Sequence, residues 1–303
     1  MHPTPDVADA VAVAVVGSAN LDLVVHAARP PEPGETVMGD ELTEHPGGKG
    51  LNQALAAARL APTAFVGALG NDHAADVLLA ALTSSGVETA FVRRTRGASG
   101  VAVVNLAPDG ENSITVMAGS NGEVSAEETI RALTALRPRI VVTQLETPVD
   151  AVVAAADWAA AHGARWVFNP SPVEQFTDAP ADHPVRTVFA TADPLIVNAG
   201  EGRGILSLFG SPAEDVSEVV DRLATLVRSV VLTDGSRGAY VSDSSGTQFV
   251  RATPVVTVDT TGAGDSFAGT LAARLVAGAT LADAAASASE AAARTVAVRR
   301  SDR

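Results

Sequence analysis

The chemistry-bearing residues of this chain gather in a few glycine-rich stretches. Asp259-Thr260-Thr261-Gly262-Ala263-Gly264-Asp265-Ser266-Phe267-Ala268-Gly269 follows the apolar run Val255–Val258 and leads into an alanine-rich segment. That order predicts a strand, a glycine turn and a helix. Glycines at 262 and 264 let backbone N–H groups crowd together at the helix start, where the dipole adds positive charge. Gly262, Ala263 and Gly264 are therefore a candidate anion hole. Asp265 stands at the same N-terminus. A carboxylate there can cap the helix, or it can accept a proton beside a held phosphoryl group, and the two roles are compatible.

A second stretch, Gly47-Gly48-Lys49-Gly50-Leu51-Asn52-Gln53-Ala54, again places glycines ahead of a helix. Lys49 is the only lysine among 303 residues; the other 20 of the 21 basic residues are arginines. One compact ammonium retained in a glycine loop suits a site that needs a point charge rather than a planar fork. The stretch is not a P-loop, because the four-residue gap before Gly-Lys and the Ser/Thr after it are missing. Gly17-Ser18-Ala19-Asn20-Leu21-Asp22 lacks the three-glycine dinucleotide spacing. Asn20 and Asp22 offer acceptors for a hydroxyl-rich ligand, or form a plain Asx-turn. Ser266 is not a hydrolase nucleophile: no histidine follows it and no Gly-x-Ser-x-Gly surrounds it. The six histidines show no metal-ligand spacing.

The elements that must position these residues alternate. Strands are expected at Val11–Gly17, Thr63–Leu69, Arg139–Leu145, Arg165–Asn169, Leu195–Asn198 and Val230–Thr233. Helices are expected at Gly50–Leu60, Asp72–Ser84, Pro148–Ala161, Glu214–Arg228, Ala263–Leu275 and Leu281–Val296. Such alternation implies βαβ units and a mostly parallel sheet covered on both faces, with ligands beyond the C-terminal strand ends. Two stretches, about 23–45 and 91–117, break the pattern. They read as a small β-sheet standing off the main domain, with a turn at Pro108–Gly110. Residues 1–10 hold Pro3, Pro5, Asp6 and Asp9 and no basic region, and read as a flexible tail rather than a signal peptide.

With 47% hydrophobic residues the chain can build a large core. Zero cysteines exclude disulfides, thiolate catalysis and cysteine-ligated metals, and suit the cytoplasm. A net charge of −14 with 4% aromatics argues against nucleic-acid binding. The apolar runs are too short for a membrane span.

Taken in order, these loops resemble the ribokinase-like (PfkB) carbohydrate kinase family, and within it the ribokinase branch. Gln144-Leu145-Glu146-Thr147-Pro148, Asn169-Pro170-Ser171-Pro172, Asn198-Ala199-Gly200-Glu201 and Thr233-Asp234-Gly235-Ser236-Arg237-Gly238 complete the set of seven. The resemblance implies a three-layer α/β/α kinase domain over residues 11–303, with a mostly parallel central sheet and a small β-sheet lid that is often a homodimer contact. It implies ATP-dependent, Mg²⁺-assisted phosphorylation of a sugar hydroxymethyl group, D-ribose first. Fructose, adenosine or pseudouridine would be the acceptors of related kinases, and a non-catalytic sugar-binding regulator is the alternative of another class. By position, Asp265 resembles the catalytic base. Asn20, Asp22, Gly48, Lys49, Asn52 and Glu146 resemble the sugar site. Asn198, Thr233, Gly235, Ser236 and Gly264 resemble the ATP site, and Glu201 a residue that meets Mg²⁺ through water. Asp259 and Thr261 match part of a monovalent-cation (K⁺) site. Arg299-Arg300-Ser301-Asp302 stands where the family usually has a glycine loop, Ala61-Pro62 and Ala75 replace usual glycines, and Leu51 replaces a usual alanine.

Overall fold

The computed structural model describes residues 11–106, 112–173 and 183–300. The expected N-terminal tail and the turn at Pro108–Gly110 lie outside the described residues. In chain order the elements are β1 (Val13–Val16), β2 (Asn20–Ala27), β3 (Gly39–Gly47), α1 (Lys49–Ala58), β4 (Thr63–Leu69), α2 (His73–Ser84), β5 (Val92–Arg94), β6 (Gly100–Leu106) and β7 (Asn112–Met117). There follow α3 (Ala126–Leu136), β8 (Ile140–Thr143), α4 (Val149–His162), β9 (Arg165–Phe168), α5 (Pro184–Val188), β10 (Leu195–Asn198), α6 (Ala199–Leu208) and α7 (Val216–Ala224). The last are β11 (Val230–Thr233), β12 (Gly238–Asp243), β13 (Gly246–Arg251), α8 (Ala263–Val276) and α9 (Leu281–Val296).

The large sheet runs β13-β12-β11-β10-β9-β8-β1-β4-β5. It is parallel from β11 to β5, and the β12–β13 hairpin is added antiparallel at one edge. Its central strands are continuous apolar runs because both faces are covered. Val13 and Val15 join Phe65, Val142, Val167 and Ile196 under α1, α2, α8 and α9. Ala14 and Val16 join Val66, Val141, Phe168 and Val197 under α3 to α7. The period-2 alternation of a strand thus feeds two separate cores. This is the expected three-layer α/β/α architecture.

The small sheet runs β3-β2-β6-β7, with β2 and β6 parallel and the outer pairs antiparallel. It draws on the two stretches that break the alternation, except that β5 pairs with β4 in the large sheet.

Three differences from the sequence reading have physical reasons. The Val255–Val258 run is not a strand: Val256 is 84% exposed and the segment crosses solvent instead of a sheet. The Asn-x-x-Glu loop is the capped start of helix α6, where Asn198 and Glu201 satisfy each other's backbone N–H groups. Helix α3, with Ser125 accepting from the Glu128 N–H, carries a Ser-x-x-Glu capping pattern that the strand-and-helix count passed over.

Candidate active site

Asp265 is the third residue of α8. The cap is Gly262 in left-handed backbone (φ 73°), with no side-chain cap bond. Asp265 is therefore not a capping carboxylate. It turns toward α1 instead, where Oδ2 accepts from Asn52 Nδ2 at 3.0 Å and Oδ1 from Gln53 Nε2 at 3.1 Å. The approach of the two helices depends on Gly269, since a Cβ there would overlap the Gln53 carbonyl oxygen and lie 2.8 Å from the Ala56 Cβ. Burial pushes the Asp265 carboxyl up to about 6, against the opposing pull of the Lys49 charge and the two amide donors.

Behind this carboxylate stands a relay of amides. Gln144 Nε2 donates to Gln53 Oε1 at 2.6 Å, which obliges Gln53 to present its NH₂ to Asp265. The same NH₂ reaches Asn169 Oδ1 at 3.0 Å, and Asn169 donates to the Ile196 carbonyl of β10. Gln144 Oε1 is buried without a hydrogen-bond partner.

Glu146, in the loop after β8, accepts from Ser18 Oγ at 2.5 Å and from the Lys49 N–H at 3.1 Å through Oε2. Asn20 and Asp22 are not in a turn. They lie two apart on β2 and so share one face of the small sheet. Asn20 Oδ1 accepts from Asn121 Nδ2 at 2.7 Å. Asp22 Oδ2 pairs with Arg300 at 2.7 Å. Gly48 (φ 89°) would place a Cβ 2.8 Å from the Ala19 Cα, so this glycine answers a close backbone crossing. The structure thus gathers Asn20, Asp22, Gly48, Lys49, Asn52, Glu146 and Asp265 at one end of the large sheet.

The other expected residues occupy neighbouring strand ends. Asn198 and Thr233 are register partners at the ends of β10 and β11. Gly235 (φ 55°) and Ser236 form the turn after β11, and Asp234 and Arg237 close it with an ion pair. Gly264 has open space where a side chain would be. Asp259 Oδ1 accepts from the Thr261 N–H and Oδ2 from the Arg300 N–H. Asn169, between Gln53 and the Ile196 carbonyl, links the Asp265 cluster to β10, and Arg300 links Asp259 to Asp22. Sequence reasoning assigned no role to Gln53, Gln144 or Asn169, although all three lie inside quoted motifs. It missed Asn121 altogether, since nothing local marks that residue.

The model of the pfkB family of carbohydrate kinases matches residues 11–302. The chain belongs to this family. It is 34% identical over 258 residues to the ribokinase of Bacillus subtilis, covering 84% of this chain and 82% of that protein. It is 30% identical over 268 residues to the ribokinase of Staphylococcus aureus, covering 87% and 86%. The Arabidopsis thaliana ribokinase complexed with ribose and ATP superposes with a TM-score of 0.82 at 30% identity, covering 96% of this chain and 94% of that one. As a pfkB carbohydrate kinase of ribokinase-like type, the chain is a phosphotransferase with an alcohol group as acceptor.

Proposed function

We propose that the chain transfers the γ-phosphoryl group of ATP to the hydroxymethyl group of D-ribose. The observation that carries this reading is the setting of Asp265. It is a buried carboxylate raised to about 6, fixed by two amide donors and placed at the amide-rich start of α8. Near neutral pH it is ionised, yet basic enough to take a hydroxyl proton as the phosphoryl group arrives. Asn20, Asp22, Lys49, Asn52 and Glu146 hold the sugar hydroxyls, with Gly48 giving the loop room. The N–H groups of Gly262, Ala263 and Gly264 face the charge that develops on the transferred phosphoryl group. Asn198, Thr233, Gly235 and Ser236 hold the nucleotide. The small sheet acts as a lid, and its closure excludes water.

Among the described residues no cluster of three acidic or histidine side chains could cage a metal. That fits a magnesium ion carried on the nucleotide's phosphates, which needs only one or two carboxylates. Glu201 suits a contact through water, because its Oε2 is committed to the Asn198 cap. When bound, the ion would neutralise phosphate charge. Asp259 and Thr261 fit a monovalent-cation site less well, since both Asp259 oxygens already accept backbone N–H groups. Exposed Leu42, Ile114 and Val116 on the lid strands support a homodimer through that sheet. The absence of cysteine supports a cytoplasmic location.

The test is a panel of ribose, 2-deoxyribose, fructose, adenosine and pseudouridine with ATP and Mg²⁺. Ribose should show the highest kcat/KM. Brisk turnover of another acceptor with none of ribose would overturn the choice of sugar.

A further inference from the structure

Arg300 follows the last helix, in the stretch where this chain departs from its family's glycine loop. Its guanidinium runs back into the cleft. One NH₂ group pairs with Asp22 Oδ2 at 2.7 Å and donates to the Pro46 carbonyl at 2.9 Å, while its own N–H is tied to Asp259. Both partners of the ion pair are largely buried, with side-chain exposures of 15% and 13%. The pair is therefore not one of the solvated surface bridges that contribute little. Pro46 and Asp22 sit on adjacent antiparallel strands, β3 and β2, so one side chain spans the base of the small sheet. The other Asp22 oxygen, Oδ1, is buried with no hydrogen-bond partner. A buried carboxylate oxygen left unpaired is costly unless a ligand's hydroxyl completes it.

We propose that Arg300 is a positioning residue for the sugar: by holding Asp22 Oδ2, it turns that carboxylate so that Oδ1 is left to accept a sugar hydroxyl. This rests on the reading of the cleft as a sugar site. The charged groups facing Asp22 are Arg300, Glu146 from the loop after β8 and His45 on β3. Burial and Glu146 favour the protonated form, and Arg300 is the strongest opposing influence. The rival reading makes Arg300 a plug that the sugar must displace, and the two differ in the sign of a mutation.

Arg300→Met should raise the sugar KM about tenfold to a hundredfold, the loss expected for a charge-assisted hydrogen bond. Its kcat should stay within about threefold and its KM for ATP should not move. Arg300→Lys should recover most of the loss, and it keeps the test open if the methionine variant folds poorly. A sugar KM that is unchanged or lower in Arg300→Met, or equal losses in Arg300→Met and Arg300→Lys, would overturn the proposal. A second readout needs no turnover. In protein labelled with ¹³C at the aspartate side chains, with Asp22 assigned by Asp22→Asn, the Asp22 titration midpoint should rise by about one pH unit in Arg300→Met. An unmoved midpoint counts against Arg300. A wild-type chain that phosphorylates no sugar while the midpoint does move counts against the proposed function alone.

Discussion

Around Asp265 each polar side chain is held by another that is distant in sequence. Asn52 and Gln53 reach across more than 200 residues to Asp265, and Ser18 across 128 to Glu146. At the ends of β10 and β11 most of the bonds are short-range: Asn198 with Glu201 and Asp234 with Arg237, each three residues apart, while the Thr233 hydroxyl donates to the Val197 carbonyl of the neighbouring strand. The first region is set in place before any ligand arrives and presents side chains in a fixed pattern, which suits discrimination among hydroxyl arrangements. The second presents backbone N–H groups and short turns, which suit a polyphosphate that many kinases share.

Substitutions can break or sharpen this contrast. The largest effect should come from Asp265→Asn, with turnover down about a thousandfold and sugar affinity by calorimetry changed less than about threefold. Unchanged turnover would remove Asp265 from the chemistry. Next is the pH profile. Because the carboxyl is raised to about 6, the ionised base is lost as pH falls through that value, and kcat should drop about tenfold per unit below it. The same shift means that the folded protein binds this proton more tightly than the unfolded chain does. Stability at this group is given up as pH rises from the unfolded value through about 6, a loss absent in Asp265→Asn.

A pair of glycines separates packing from ligand binding. Gly269→Ala should destabilise by about 1–3 kcal/mol in urea unfolding, because its Cβ meets the backbone of α1. Gly264→Ala meets nothing within 4 Å, so it should unfold like wild type while losing phosphoryl transfer. Equal stabilities for the two would remove the distinction. The smallest effect is expected on the nucleotide side. Thr233→Val should raise the KM for ATP about fivefold, as for one neutral hydrogen bond, and leave the sugar KM alone.

Local patterns made most of the scaffold legible. β4, β10, β11 and α9 fall at the expected residues, because apolar runs and glycine punctuation are properties of neighbours in sequence. The seven motifs marked the loops at the strand ends for the same reason. The Val255–Val258 run misled because β-branched composition does not create a partner strand. The Gln144–Gln53–Asp265 relay and the Asn20–Asn121 bond were illegible because they exist only once distant elements pack. Arg300 drew notice only as a departure from a pattern, and what it touches is a property of the folded chain.

Only three residues, Gly17 to Ala19, separate the end of β1 from the start of β2. Asn20 and Asp22 therefore ride on the small sheet, while Lys49, Asn52 and Asp265 belong to helices seated on the body. A swing about that short joint would carry off Asn20 and Asp22 and leave Lys49, Asn52 and Glu146 behind. If the small sheet is the proposed lid, its opening would unmake only the part of the pocket that it carries, and an arriving sugar would draw that part back against a body-borne half already in place.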